Sequence, residues 1–278
     1  MSKDLSNIPD DEKTSDKLNS FSIVIPTCER QNLMQRSVRS AQNQIYEGDF
    51  EVVVVDDGST DKTWEILKDI VKEDSKVRAF RHKGRMQRCQ ARNTGMKKAK
   101  NDWICWLDAD DEYMRTYLDS ANWAINEYPD YKIFHFGAIV SGLRGYRVRD
   151  AANIGEEVEG PGMEKFKSGC IGTGSFFFKR ELLDDVGYLP VAGSPYKFAD
   201  LAKEECPEIM EWFGPKYLEG GKELGNPWGD DWFMFYKLTR KYKSKQVPFL
   251  TYVQYVRRSG FLQQDNDRIL NRPNVIIA

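Results

Sequence analysis

The chain has 278 residues, 40% of them hydrophobic and 13% aromatic, so it can bury a core and is not disordered overall. Lysine and arginine (41) nearly balance aspartate and glutamate (43), and the net charge of −2 disfavours a protein that coats nucleic acid. No segment approaches the ~20 consecutive apolar residues of a membrane helix, and the first twenty residues hold no apolar signal region. We therefore expect a cytoplasmic protein that meets any membrane only peripherally.

The histidines and cysteines restrict the kinds of site that the chain can build. Only two histidines are present, so a His-rich metal cage is excluded, and a Ser/His/Asp triad would have to use His82 or His135. The five cysteines have no CxxC spacing and an odd total, which argues against a zinc site and against a disulfide framework. We interpret them as reduced thiols in a reducing compartment.

The predicted elements alternate between strand and helix after a polar tail at residues 1–19. In chain order they are a strand at 21–26, a helix at 31–45, a strand at 51–55, a helix at 61–73, a strand at 76–82, a helix at 85–100, a strand at 103–107, a helix at 115–128 and a strand at 132–140. The first helix is predicted from one apolar face that consists of Met34, Val38, Ala41 and Ile45. This alternation predicts an α/β protein with an open, mostly parallel sheet and helices on both faces.

The second half of the chain is harder to assign. Residues 140–175 are rich in glycine, and they are followed by a predicted strand at 175–179 and a short helix at 180–186. A helix from Asp230 to about Tyr242 and a strand at 248–256 are the next convincing elements. With no repeat and no low-complexity linker, we predict one domain over residues 20–278.

Two acidic clusters follow strands that the sequence predicts to be buried. Asp56 and Asp57 come after the valines at 52–55, and residues 108–112 carry four carboxylates after the strand at 103–107. Because ligands of parallel α/β sheets bind beyond the carboxyl ends of the strands, we expect both clusters at one crevice.

Each cluster has a structural and a functional interpretation. Asp57-Gly58 is common turn chemistry, but a carboxylate at this place can also accept hydrogen bonds from a nucleoside. The second cluster is either a solvated turn that caps the next helix or a site for Mg²⁺ or Mn²⁺, held by carboxylates and substrate phosphates. The spacing of Asp108 and Asp110 directly after a buried strand favours the metal.

Two further features carry charge that a reaction could use. The stretch from Lys76 to Lys100 contains ten lysines or arginines and no acid, and Arg85, Arg88 and Arg92 recur in it at helical spacing. This is a solvated helix face or a place where guanidinium groups meet phosphate oxygens or an anionic acceptor. Asp230 and Asp231 are an N-cap of the late helix or a general base, with Trp228 and Trp232 beside them to pack on a sugar and raise a carboxyl pKa.

Four segments in this order resemble the signatures of family 2 glycosyltransferases with the GT-A fold. They are SIVIPTCER, VVVVDDGSTD, ARNTGMKKAKNDWICWLDADD and GDDWFMFYKL. The resemblance implies a metal-dependent, inverting transfer of a sugar from a nucleotide-sugar, usually a UDP-sugar, to a hydroxyl by single displacement. It also implies that residues 20–140 form the nucleotide-sugar half and that residues 141–278 form the acceptor half.

The resemblance assigns roles residue by residue. Asp57 would hold the base, Asp56 would support its loop, and Asp110 would contact Mn²⁺ or Mg²⁺, with Asp108 nearer the ribose or sugar. Asp231 would be the general base, although Asp230 stands where the family usually has Glu. The remaining residues at the donor are Pro26, Thr27 and Glu29, which would border the nucleoside, and Arg92, or in second place Arg88, which would approach the diphosphate.

The chain departs from the family at the late strand, where many relatives carry a histidine. Here YVQYVRRSG has none, so either Arg257 or Arg258 pairs with phosphate or the metal has fewer protein ligands. The acceptor is a glycan, a glycolipid or a protein, with nucleic acid as a minor alternative. A retaining transferase, a nucleotidyltransferase and a non-catalytic carbohydrate- or nucleotide-binding protein are the alternative functions.

Overall fold

The computed structural model describes residues 17–142, 145–149, 157–158, 173–189 and 230–255. Over these residues the helices are α1 (Met34–Gln42), α2 (Thr63–Glu73), α3 (Arg88–Lys98), α4 (Tyr117–Glu127), α5 (Leu182–Val186) and α6 (Asp230–Thr239), with a 3₁₀ turn at Thr173–Ser175. The strands are β1 (Phe21–Thr27), β2 (Phe50–Asp56), β3 (Val77–Arg81), β4 (Trp103–Trp106), β5 (Glu112–Tyr113), β6 (Ile133–Gly142), β7 (Gly145–Arg149), β8 (Glu157–Val158), β9 (Phe176–Lys179) and β10 (Ser244–Tyr255).

The first four strands form the parallel sheet that the sequence predicts. β1 lies between β2 and β4, and Ile23 pairs with Val52 on one side and with Cys105 on the other. β3 runs parallel to β2 on its outer side. Every residue of β1, β2 and β4 is buried, as continuous apolar runs require when helices cover both faces.

The second half of the sheet mixes strand directions. β9 inserts between β4 and β6 and runs antiparallel to both. β10 then pairs parallel with β6 and antiparallel with the short strands β5 and β8. The result is one open sheet with the order β3-β2-β1-β4-β9-β6-β10-β5 across the described residues.

Helices cover both faces of this sheet, as expected. One apolar cluster packs α1, α2 and α4 against one face, and a second packs α3, α5 and α6 against the other. Helix α3 lies so close to β1 that a Cβ at Gly95 would overlap a methyl group of Val24. Glycine is therefore required there despite its cost within a helix, and α3 is held directly over the centre of the sheet.

The prediction that Ile45 belongs to the buried face of the first helix is wrong. Helix α1 ends at Gln42, and Ile45 is 54% exposed rather than part of the buried face. The chain has left the helix here because the Ile45 N–H donates to the carbonyl of Arg115, 2.7 Å away. Periodicity alone cannot detect such a tertiary hydrogen bond, so it extended the helix too far.

His135 on β6 is a core residue. It is 1% exposed and packs edge-on against Phe235 of α6, with 5.8 Å between ring centroids. Burial lowers the pKa of His135 to about 3, so its imidazole is neutral at physiological pH. Of the two histidines, only His82 lies near the carboxyl ends of the strands. No helix in the described part of the chain is long and apolar enough to cross a membrane.

Candidate functional site

The predicted site residues of the first half meet at the carboxyl ends of the parallel strands. Thr27 ends β1, Asp56 ends β2, and Asp108 follows β4 after one residue. Since β2 and β4 flank β1 and neighbouring strands lie ~4.8 Å apart, the ends of β2 and β4 are separated by roughly 10 Å. The fold thus brings both acidic clusters to the same edge of the sheet, as the sequence predicts.

Asp56 supports the loop that follows β2. Its side chain is fully buried, where Oδ1 accepts the hydroxyl of Ser59 and Oδ2 lies 3.1 Å from Nε of Arg81. Gly58 in the same loop has φ +71° and packs against the backbone of Gly84. Turn chemistry and a packing role therefore account for this part of the motif.

Asp57 is almost completely buried and its carboxylate receives three hydrogen bonds from the chain itself. Oδ1 lies 2.7 Å from Nδ1 of His82 and accepts the Met86 N–H at 2.8 Å, while Oδ2 accepts the Gln87 N–H at 2.7 Å. A carboxylate offers about four acceptor positions, and among the described residues three hydrogen bonds occupy three of them. Asp57 organises the loop before α3 as well as the end of β2.

Pro26, Thr27 and Glu29 line the end of β1. Pro26 and Thr27 are buried, whereas Glu29 is exposed and has a left-handed φ of 52°. The Glu29 carboxylate accepts the N–H groups of Thr60 and Asp61, at 2.7 and 3.2 Å. These bonds join the loop after β1 to the start of α2 and form one wall of the edge.

The second acidic cluster has the geometry of a cation site. Ligand oxygens of Asp108, Asp110 and Asp111 all lie within 4.8 Å of one another. Asp108 and Asp110 are partly exposed, whereas Asp111 is buried and accepts the Tyr252 hydroxyl and the Tyr255 N–H, both at 2.9 Å. Oxygen ligands alone suit Mg²⁺ or Mn²⁺.

The ionised form of Asp111 is destabilised in the acidic cluster. Burial, together with the negative charges of Asp110 and Asp108, raises the pKa of the Asp111 carboxyl well above its usual range. A folded-state pKa above the unfolded value of about 3.9 means that stability is present at low pH and is lost as the pH rises through the folded value.

Asp111→Asn is expected to stabilise the metal-free protein at pH 7.5 by about 1 kcal/mol or more, because each pKa unit of upward shift costs ~1.4 kcal/mol above that pKa. Asparagine keeps an acceptor for the Tyr255 N–H, and the Tyr252 hydroxyl can turn to accept from the amide. Melting temperatures measured from pH 5 to 8 without divalent cations should diverge between variant and wild type as the pH rises. A variant that is less stable at every pH would contradict the electrostatic cost.

Arg92 on α3 joins the acidic cluster to the 3₁₀ turn before β9. The side chain is fully buried, and its Nη2 donates to Oδ1 of Asp108 at 2.8 Å and to Oγ1 of Thr173 at 3.1 Å. The guanidinium also lies over the ring of Trp106, 4.8 Å from its centroid. Arg88 is the first residue of α3, and Arg85 lies exposed in the preceding loop. Arg92 is therefore ordered against the acidic cluster, as is Arg36 of α1, whose Nη2 donates to the carbonyl of Asp110 at 3.0 Å.

The amino-terminal end of helix α6 points toward the edge of the sheet at which the parallel strands end. It precedes β10, which starts beside the beginning of β6, and Phe235 in its middle contacts Phe176 at the level of the end of β4. Asp230 and Asp231 form the first turn of this helix. Their side chains and that of Trp232 lie outside the described residues, as do Trp228, Arg257 and Arg258.

Three site residues were not selected from the sequence. The sequence patterns do not indicate Asp111 as a ligand, although it stands in the acidic run, and they indicate no role at a donor site for His82 or Thr94. His82 has one available signal, since it is the last residue of a predicted strand. The hydrogen-bond partners of these three residues lie 12 to 144 positions away in the chain.

Comparison with known proteins decides the family. The family model described as "Glycosyl transferase family 2" matches residues 22–187, more than half of the chain. The chain belongs to glycosyl transferase family 2. The match includes both acidic clusters and Arg92, and it confirms the family that the sequence motifs indicate.

One relative and two solved structures illustrate the likeness. The chain is 28% identical over 146 residues, 52% of its length, to a Campylobacter jejuni "GalNAc(5)-diNAcBac-PP-undecaprenol beta-1,3-glucosyltransferase", and spans 44% of that protein. It superposes on S. aureus TarS 1-349 in complex with UDP-GlcNAc with a TM-score of 0.60 and 18% identity, over 87% of this chain and 62% of that one.

The second structure is the mannosyltransferase PcManGT from Pyrobaculum calidifontis in complex with GDP-Man and Mn²⁺. Its TM-score is 0.54 at 17% identity, over 88% of this chain and 59% of that chain. At this level of identity the two structures show a shared fold, the open α/β sheet of GT-A glycosyltransferases. The chain spans less than half the length of curated relatives such as the Campylobacter enzyme.

Proposed function

We propose that this chain is a metal-dependent, inverting glycosyltransferase that takes a sugar from a UDP-sugar and transfers it to a hydroxyl group. The observation that carries the proposal is the convergence of Asp108, Asp110 and Asp111 beside the buried Arg92, on the same sheet edge as Asp57. Breaking a sugar–phosphate bond requires charge that stabilises the departing diphosphate. A cation-binding cluster next to an arginine supplies it.

The three carboxylates fit a divalent cation. They are oxygen donors on one short segment. Burial and the charges of Asp110 and Asp108 raise the pKa of the Asp111 carboxyl, and a bound cation would offset this repulsion. We assign Asp110 and Asp108 as the main ligands, with Asp111 behind them, and Mn²⁺ or Mg²⁺ as the ion. When bound, the ion would neutralise charge on the diphosphate.

The other residues bind the donor and move a proton. In this proposal, the fourth acceptor position on Asp57 takes an N–H of the uracil, Thr27 and Glu29 border the nucleoside, and Arg92 holds Asp108 in place. Asp231 removes the proton from the acceptor hydroxyl as its oxygen attacks the anomeric carbon in line and UDP departs. A positioned carboxylate of this kind accelerates attack by a weak nucleophile by ~10²–10⁴. The orientation of α6 supports this assignment, because its first turn lies toward the carboxyl edge.

For the acceptor we propose a lipid-linked glycan. The support is the name of the Campylobacter relative, whose acceptor is a glycan on undecaprenyl diphosphate. The match to the family model ends at residue 187, so it covers the proposed donor half and only part of the proposed acceptor half. The acceptor assignment is therefore tested separately from donor use.

Calorimetric titration of the protein with UDP and with UDP- and GDP-sugars, with and without Mn²⁺, tests the proposal. We expect UDP-sugars to bind only when Mn²⁺ is present, with GDP-sugars binding at least tenfold more weakly. NMR of the product with a lipid-linked glycan acceptor should show an inverted anomeric configuration.

Several outcomes would contradict this function. Retention of configuration would indicate a retaining transferase, and release of pyrophosphate would indicate a nucleotidyltransferase. Binding of the donor with neither transfer nor hydrolysis would indicate a non-catalytic nucleotide-sugar-binding protein. Equal binding with and without Mn²⁺ would reject the metal.

A further inference from the structure

His82 joins the end of β2 to helix α3 through both of its ring nitrogens. Nδ1 lies 2.7 Å from Oδ1 of Asp57, and Nε2 lies 2.9 Å from Oγ1 of Thr94. The side chain is 9% exposed, and the backbone N–H of His82 donates to the carbonyl of Asp56 at 2.9 Å. The imidazole is therefore held at both ring nitrogens, and the backbone of His82 is bonded to the end of β2.

The chemistry of the partners determines how the ring is used. An ionised Asp57 only accepts hydrogen bonds, so Nδ1 must carry a proton and donate a hydrogen bond to that carboxylate. Nε2 then accepts from the Thr94 hydroxyl, or donates to its oxygen if the ring is charged. The order hydroxyl, imidazole, carboxylate also occurs in hydrolase triads, but here the carboxylate receives two backbone N–H groups as well.

Those two N–H groups belong to a strained turn. Gln87, the residue before α3, has a φ of 75°, a left-handed conformation that costs a non-glycine residue free energy. Its N–H and that of Met86 are held by the same Asp57 carboxylate that His82 fixes. Removing the imidazole would free Asp57 to rotate and would loosen this turn.

Helix α3 carries the connection to the acidic cluster. Thr94 faces His82, and Arg92, two residues earlier on the same helix, donates to Asp108 at 2.8 Å. One rigid helix is thus bonded at Thr94 to the nucleoside side of the edge and at Arg92 to the diphosphate side. Gly95 of the same helix packs closely on Val24, so α3 lies directly against β1.

We propose that His82 is a positioning residue for the donor. Through Asp57 and Thr94 it holds the end of β2, the turn before α3 and helix α3 at a fixed separation, so that a nucleotide-sugar is gripped at both its base and its diphosphate. This inference rests on the proposed function. It predicts an effect on donor affinity rather than on the chemical step, because His82 contacts neither the reacting sugar nor the acceptor.

Three substitutions at His82 separate its two bonds. Asparagine can place an amide N–H near the position of Nδ1 and keep the bond to Asp57, whereas glutamine reaches toward Thr94 only. We expect His82→Ala and His82→Gln to raise the KM for the UDP-sugar roughly tenfold or more with less than about a twofold change in kcat. His82→Asn should stay within roughly threefold of wild type.

A double-mutant cycle tests the link to α3. Thr94→Val should raise the donor KM by roughly threefold in the wild type and have no further effect in His82→Ala. Thr239→Val is the matched control, because its hydroxyl donates to the carbonyl of Phe235 at the far end of α6, and it should leave KM unchanged. Additive effects of the two substitutions would overturn the coupling through His82.

Hydrogen exchange of the ligand-free protein distinguishes failure of this inference from failure of the proposed function. The amides of Met86 and Gln87 should exchange at least tenfold faster in His82→Ala and near the wild-type rate in His82→Asn. Unchanged exchange would show that His82 does not hold the turn before α3, and it would overturn the positioning role whatever the enzyme assays give. Faster exchange with an unchanged donor KM in an active enzyme would reduce His82 to a purely structural residue. A wild-type protein that binds no nucleotide-sugar would instead refute the proposed function, and with it the positioning role.

Discussion

Asp231→Asn is expected to lower the rate of sugar transfer by ~10²–10⁴ while the affinity for the UDP-sugar changes by less than about twofold. Asparagine has nearly the same shape as aspartate but cannot accept a proton from the acceptor hydroxyl at neutral pH. If Asp231 is the base, the variant loses the chemical step and retains the donor site. Transfer rates and calorimetric donor affinities measured on the same preparation check both halves of the prediction.

The neighbouring acid provides the matched control for this experiment. Asp230→Asn removes the same charge from the same first turn of α6, so helix stability and local charge change in parallel. We expect it to retain at least a tenth of wild-type activity. Should the Asp230 variant be the inactive one, the base would be Asp230. Loss of UDP binding in Asp231→Asn would show that this residue belongs to the donor site.

Asp110→Ala is expected to remove the Mn²⁺-dependent part of donor binding, a loss of roughly 100-fold or more in affinity. The substitution deletes one of three carboxylates whose oxygens lie within 4.8 Å of one another, and hard divalent cations need several such oxygens. The backbone carbonyl of Asp110 still accepts Nη2 of Arg36, so the loop should keep its shape. Calorimetry with UDP at fixed Mn²⁺, and with Mn²⁺ alone, gives the measurement.

Asp130→Ala serves as the control for nonspecific electrostatics. Asp130 is exposed in the loop after α4, so its removal changes the net charge equally but leaves the acidic cluster intact. Its affinities should match those of the wild type. Unchanged UDP and Mn²⁺ affinities in Asp110→Ala would reject the metal assignment, whereas equal losses in both variants would point to long-range charge rather than coordination.

Most of the fold of residues 20–140 could be predicted from the sequence because its elements are locally encoded. The valines of β2 predict a buried strand, and the apolar spacing of α2 and α4 predicts amphipathic helices, independently of the rest of the chain. The prediction failed where a distant partner intervened, as at Ile45, whose N–H is taken by Arg115. Element ends depend on such contacts more than element centres do.

For the candidate site, the sequence alone identified residues whose role follows from position after a strand. Asp56, Asp57, Asp108 and Asp110 all lie at the sheet edge where parallel strands end, and the family match covers them. Their division of labour was not legible. Asp56 is buried against Ser59 and Arg81, and Asp57 is mostly engaged by its own loop, because hydrogen-bond partners are chosen by the folded chain.

The sequence by itself determined the family, the parallel core of β1 to β4 and the edge at which the carboxylates collect, since all of these follow from periodicity and from residue order. Only the tertiary structure decided that β9 enters antiparallel beside β4, that Asp111 is the buried member of the acidic cluster and that His82 joins Asp57 to Thr94. Each of these depends on residues far apart in the chain. Burial and hydrogen bonding depend on which groups are close in space, and the local sequence does not specify which distant residue will be the neighbour.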